Sequence, residues 1–192
     1  MTEAELKARL TPEAAASLPQ RLEALGFSGG DRVRETDLYF NGCTRDFRET
    51  DEALRLRQVA SGEKTSVRMT YKGPKSDSRS NTRQEHETTV GDLETARAIL
   101  EALGFQPVFT VAKERRTLLR GAVTACLDRV EGLGDFLELE HMLPDDADRD
   151  RAVDDLLRLV DELNIPRGAL ERRSYLELLM SAVPPSAPPR EE

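Results

Sequence analysis

Ala53-Leu54-Arg55-Leu56-Arg57-Gln58-Val59 sets leucines and arginines in strict alternation. A helix turns about 100° per residue, so arginines at i and i+2 would split its polar face. A strand sends alternate side chains to opposite faces, so the segment reads as a strand with one apolar and one cationic face. The same period recurs along the chain. In residues 2–10, Glu3, Glu5, Lys7 and Arg9 alternate with Ala4, Leu6, Ala8 and Leu10. In 65–72, Val67, Met69 and Tyr71 oppose Arg68, Thr70 and Lys72. Further strands are expected at 34–41, at Arg83-x-Glu85-x-Glu87 leading to Val90, around Lys113-x-Arg115, at 122–130 with Cys126 and Asp128, and at 136–141 with Glu138 and Glu140.

Between these strands lie helix signals. Thr11-Pro12-Glu13 supplies a cap, a proline in the first turn and an early acid, and the helix should run to Gly26, kinked or split at Pro19. Asp92 should cap a helix over 93–103 that Gly104 ends. Residues 145–164 carry an apolar stripe, and Ser174-x-x-Glu177 is a capping box before a last helix. Leu22-Glu23-Ala24-Leu25-Gly26-Phe27 recurs letter for letter at 100–105. Each copy ends a helix between two strands, which predicts two related β-α-β halves in one sheet. Residues 75–82 read as a polar loop, a candidate lid or a plain hairpin connection. Residues 1–183 are expected to form a single domain, followed by a disordered proline-rich tail at 184–192.

The 192 residues include 36 acids against 28 Lys and Arg, a net charge of −8 that disfavours nucleic-acid binding. Two cysteines, far apart, form no disulfide framework and suit a reduced cytoplasm. Two histidines leave any metal to carboxylates, which favours Mg²⁺ or Mn²⁺. The charged start, Met1 to Lys7, resembles no signal peptide, and no apolar run reaches membrane-spanning length, so no membrane is expected.

The strand faces pair like charges: Glu3/Glu5, Arg55/Arg57, Glu85/Glu87, Lys113/Arg115 and Glu138/Glu140. Like charges so placed repel, and a sheet face left to solvent would tend to avoid them. A closed antiparallel barrel resolves the pattern, with its charged face inward and its apolar face under helices. The expected fold is therefore α+β: an eight-stranded antiparallel barrel with a charged lumen and surrounding helices. Such a lumen suits a polyanion with a divalent metal, because arginine forks bind phosphate oxygens and carboxylates bind the metal.

Glu3-Ala4-Glu5-Leu6-Lys7 also resembles the ExExK signature of the CYTH family, named for class IV adenylyl cyclases and thiamine triphosphatases. Later blocks follow the family's order: Arg55-x-Arg57, Lys72, Arg83 with Glu85 and Glu87, Lys113-x-Arg115, Asp128 and Glu138-x-Glu140. Residues 49–57, 70–75 and 174–179 look most like the class IV cyclase branch.

The resemblance implies a triphosphate tunnel enzyme whose substrate is a nucleoside triphosphate or inorganic triphosphate. It implies metal ligands at Glu3, Glu5, Asp128, Glu138 and Glu140. Phosphate would be bound by Lys7, Arg55, Arg57, Lys72, Arg83, Lys113 and Arg115, with Lys7, Arg57 and Lys72 carrying catalysis. Glu85 and Glu87 would be ligands or partners of interior bases, and Arg116 would replace Arg115 if a bulge intervened. Arg172 or Arg173 would stand in for a late lysine of thiamine triphosphatases.

Conversion of ATP to cyclic AMP and pyrophosphate is the expected reaction. The alternative is hydrolysis of inorganic triphosphate, a nucleoside triphosphate or thiamine triphosphate; a non-catalytic phosphate sensor ranks last. Related proteins point to a homodimer. A base-stacking platform would rest on Tyr39, Phe40 or Tyr71. Cys126 reads as a small buried hydrophobe.

Overall fold

The structure, a computed structural model, describes residues 2–76, 79–143 and 148–182; the side chains of Thr2, Glu3 and Arg149 lie outside that description. The expected tail at 184–192 and part of the 75–82 loop also lie outside it. The alternating segments form β1 (Thr2–Arg9), β2 (Ser28–Asn41), β3 (Ala53–Ser61), β4 (Lys64–Lys72), β5 (Arg83–Val90), β6 (Gln106–Arg120), β7 (Val123–Val130) and β8 (Gly134–Leu143). They close a barrel in the order β1-β5-β4-β3-β2-β6-β7-β8, with antiparallel neighbours throughout.

Exchanging β1–β4 for β5–β8 maps this cyclic order onto itself, as two related halves require. The repeated hexapeptide has the same geometry in both copies. It ends α1 (Pro12–Ala24) and α2 (Leu93–Ala102). Gly26 and Gly104 adopt φ +83° and +92°, a region where a side chain would be strained. The N–H groups of Phe27 and Phe105 then donate back to the carbonyls of Leu22 and Leu100 at 3.0 Å each.

Helices cover the apolar outer face. Ala4, Leu6, Ala8, Leu118, Leu137 and Leu139 pack under α1 and α3 (Arg149–Glu162). Phe40, Leu54 and Leu56 pack under α2 with Phe47. Leu56 and Leu139 are fully buried, and each such side chain contributes about 1.5–3 kcal/mol. The alternation thus places leucine outside and charge inside. No helix among the described residues is long and apolar enough to cross a membrane.

Several boundaries differ from expectation. β2 begins at Ser28 rather than Arg34, because its exposed first half carries no apolar signal. α1 passes through Pro19 unbroken; the missing N–H leaves only one carbonyl without its helical donor. α3 begins at Arg149, where Asp148 accepts a bond from the Arg151 N–H at 3.1 Å. The capping box is formed at α4 (Tyr175–Ala182): Ser174 and Glu177 exchange bonds of 2.6 and 3.1 Å.

The closing seam is short. β1 and β5 pair only at Thr2↔Gln84 and Glu3↔Arg83, whereas β1 pairs β8 from Thr2↔Leu143 to Arg9↔Phe136. The 73–82 connection extends the seam, with the Asn81 N–H donating to the Glu5 carbonyl at 2.9 Å. Ser80 and Thr82 are buried, so this end of the connection belongs to the barrel wall rather than to a free lid.

Candidate functional site

The inward faces enclose a cavity of about 1320 Å³. Of the residues expected to bind phosphate, Lys7, Arg55, Arg57, Lys72, Arg83, Lys113 and Arg115 all line it. Of those expected to bind metal, Glu5, Glu138 and Glu140 line it. Glu3 stands on β1 opposite Met142; its side chain lies outside the described residues.

Two arginines are held as forks. Asp37 accepts from Arg57 Nε at 2.6 Å and Nη2 at 2.7 Å, and from Arg55 at 3.3 Å. Asp128 accepts from Arg115 Nε at 2.7 Å and Nη2 at 2.5 Å, from Lys113 at 3.1 Å and from the Tyr175 hydroxyl at 3.0 Å. These aspartate side chains are 3% and 0% exposed, behind the bases they hold. Burial raises both carboxyls, but Arg55 and Arg57 overcome it at Asp37, and Arg115 and Lys113 overcome it at Asp128. Both end below the ordinary aspartate value, Asp37 well below it. Asp128, expected as a metal ligand, is thus saturated by cationic and hydroxyl donors. Its register partner on β6 is Arg115, which sets its carboxylate on that guanidinium.

The glutamates differ. Glu138 bonds to Arg115; burial raises its carboxyl, and Arg115, Lys113 and Lys7 hold it low. Glu140 stands opposite Glu5 on paired strands. Burial raises its carboxyl, Arg115 lowers it, and Glu138 and Glu5 raise it further, so it stays above the usual value. Among the described residues, no three acids stand close enough to cage a metal by themselves. Cys126 is buried as expected, but it faces this group, its Sγ 3.8 Å from Glu140 Oε1. Burial pushes its thiol up, which keeps it protonated.

Glu85 and Glu87 serve interior bases: Glu85 pairs with Lys72, and Glu87 with Arg68 at 3.3 Å. Arg83 donates to the carbonyls of Asp51 and Gly73 at 3.3 and 3.2 Å. Arg116 lies on the outer face, 3.2 Å from Glu23, because β6 pairs β7 without a bulge and Arg115 keeps the inward position. Arg172 and Arg173 line the mouth, where Arg173 holds Glu171.

One end of the lumen is apolar. Tyr39, Val111, Val130 and Phe136 meet Tyr175 and Leu178 of α4. The Tyr175 ring lies 4.8 Å from Lys7 Nζ and 5.1 Å from Lys113 Nζ, a cation–π contact to both. Of the three candidates for base stacking, Phe40 and Tyr71 turn outward beneath α2, and Tyr39 belongs to this plug. Sequence reasoning missed Glu35, Asp37, Tyr175 and Asn81. The first two share the i, i+2 like-charge signal seen elsewhere; the other two carry no such signal.

Comparison with known proteins identifies the family. The CYTH domain family model matches residues 1–175. A Methanocaldococcus jannaschii protein named "putative adenylate cyclase" is 40% identical over 178 residues, spanning 93% of this chain and 98% of that protein. The Aeromonas hydrophila protein named adenylate cyclase CyaB is 28% identical over 146 residues, 76% of this chain and 72% of that protein. The solved structure of the PH1819 protein from Pyrococcus horikoshii OT3 superimposes with a TM-score of 0.86 at 36% identity, covering 94% of this chain and 99% of that one. The chain belongs to the CYTH family.

Proposed function

We propose that this CYTH protein converts ATP to cyclic AMP and pyrophosphate, with a divalent cation in the charged lumen. The observation that carries this is how the lumen's acids divide: Asp37 and Asp128 are buried behind the arginines they hold, while Glu5 and Glu140 face each other across β1 and β8. The cyclase names of the two relatives support the choice of reaction.

The residues fit a hard cation. Glu5 and Glu140 oppose each other, and their repulsion would be relieved by a positive ion. All their donors are oxygen, which suits Mg²⁺ or Mn²⁺. Among the described residues too few acids gather to complete the shell alone, and phosphate oxygens of the substrate would supply the rest, as is usual for Mg²⁺. Bound there, the ion would neutralise phosphate oxygens and lower the pKa of the attacking hydroxyl.

The protein's own part is grip and placement. Arg57 and Arg115 have their Nε and Nη2 edges held by Asp37 and Asp128, and would turn their remaining Nη1 groups, now near Glu35 and Glu140, to phosphate oxygens. Lys7 and Lys113 add point charges beside the Tyr175 ring. The ribose 3′-oxygen attacks the α-phosphorus; the bond to the β-phosphate oxygen breaks, the hydroxyl proton is released, and pyrophosphate leaves. Its developing charge falls on the arginines and lysines. A second reading, hydrolysis by water at the γ-phosphorus, is favoured by one observation: of the three aromatic candidates for base stacking, Phe40 and Tyr71 turn outward and Tyr39 is packed against the Tyr175 plug.

Incubation with ATP and Mg²⁺ or Mn²⁺, with tripolyphosphate in parallel and products separated by chromatography, tests both. Cyclic AMP and pyrophosphate, lost in Arg57→Ala, support the cyclase. Orthophosphate without cyclic AMP moves the assignment to triphosphatase. No turnover of either substrate contradicts both.

A further inference from the structure

The 73–82 connection contains a side chain that the charge pattern does not explain. Asn81 lines the cavity and is 8% exposed. Its backbone N–H donates to the Glu5 carbonyl at 2.9 Å. Its Nδ2 donates to Glu5 Oε1 at 3.0 Å. Its Oδ1 is buried with no hydrogen-bond partner.

The two contacts do different work. The backbone bond extends the β1–β5 seam beyond Glu3 and would survive any side chain at this position. The amide bond acts on the carboxylate alone. It fixes one oxygen of Glu5 and, through the planarity of the amide, the direction of Oδ1. A buried amide oxygen without a partner calls for an explanation. Here it belongs to a residue that lines the cavity and holds a carboxylate assigned to metal binding. A neutral amide oxygen accepts a hydrogen bond from cation-bound water without adding to the negative charge of Glu5 and Glu140.

We infer that Asn81 is a positioning residue of the metal centre: its Nδ2 orients the Glu5 carboxylate toward the cation, and its Oδ1 accepts a hydrogen bond from a water bound to that cation. The inference rests on Glu5 being a metal ligand.

Mn²⁺ binding in the presence of tripolyphosphate, read from the electron paramagnetic resonance of free Mn²⁺, tests it without reference to turnover. Asn81→Ala should weaken Mn²⁺ by about 10-fold or more, the usual effect of removing a group that orients a ligand. Tripolyphosphate affinity in EDTA should be unchanged. In a Glu5→Gln background, removing Asn81 should cost less than in the unaltered protein, since part of its effect runs through Glu5. Should Asn81→Ala fold poorly by its thermal melt, Asn81→Ser, which keeps a short polar group, should show the same loss. Wild-type Mn²⁺ affinity in a folded Asn81 variant would overturn the inference, and so would losses that add fully with Glu5→Gln. An absence of Mn²⁺ binding by the unaltered protein would overturn both the inference and the assignment of Glu5.

Discussion

Asp37 and Asp128 lie in the same barrel as Glu5 and Glu140, yet the two pairs live in opposite electrostatic environments. Each aspartate has both oxygens on an arginine fork and sits out of contact with the cavity. Glu140 has looser ties: Arg115 Nη1 at 3.6 Å, the Cys126 thiol at 3.8 Å and the charge of Lys72, while Glu5 faces it across the strand pair. Burial disfavours the charged form at Asp37, Asp128 and Glu140 alike; what differs is the cation at hand. Acids already matched to arginines set the aim of those arginines. Acids left unmatched are where an added cation gains most. Burial and inward parity alone would have made all four metal ligands, and the pairing partner separates them.

The largest effect should come from removing a matched acid. Asp37→Ala takes the ion pair from buried Arg55 and leaves Arg57 with Glu35 alone among the described residues, and breaking such a pair costs about 3–5 kcal/mol. Thermal or urea unfolding would measure it, and a loss near zero would break the contrast.

Removing an unmatched acid should act the other way on stability and hard on turnover. Glu140→Gln relieves repulsion with Glu138 and Glu5, so the metal-free protein should melt no lower than the unaltered one. Turnover should nevertheless fall by about 10²–10³-fold, the scale of losing one charge-stabilising group. A large drop in melting temperature would place Glu140 with the matched acids.

Acid titration sharpens the difference through its sign. The Asp37 carboxyl is depressed in the folded state, so its stabilisation is present above the ordinary aspartate range near 3.9 and fades as pH falls below it. The Glu140 carboxyl is raised, so its penalty grows as pH climbs through and above the ordinary glutamate range near 4.3. Stability curves should show Asp37→Asn flattening the acid limb. The advantage of Glu140→Gln should be largest at neutral pH and vanish in acid.

The smallest effect belongs to a residue outside either group. Ser174→Ala removes the α4 cap and should cost about 1 kcal/mol in unfolding, with tripolyphosphate affinity unchanged. A loss of affinity would show that α4 tunes the lysines through Tyr175.

The strands and the inward face were legible because like charges at i, i+2 are hard to reconcile with a solvent face. Arg55/Arg57, Lys113/Arg115 and Glu138/Glu140 all face the lumen as that reasoning expects. Depth along the barrel was not legible. Parity cannot tell that Val111, Val130 and Phe136 form a plug while Lys113, Asp128 and Glu138 on the same faces stay charged. Asp37 was hidden because β2 announces itself through Leu38, Tyr39 and Phe40. The partner of Asp128 depends on β6–β7 register, which sets it against Arg115. Asn81 comes from a polar connection with no periodicity at all.

Mn²⁺ and tripolyphosphate binding compared in Glu140→Gln and Asp128→Asn addresses the division of the lumen most directly. The predicted result is that Glu140→Gln loses Mn²⁺ but keeps metal-free tripolyphosphate affinity, while Asp128→Asn keeps Mn²⁺ and weakens metal-free tripolyphosphate. Loss of Mn²⁺ in Asp128→Asn as severe as in Glu140→Gln would contradict it and return Asp128 to the metal ligands.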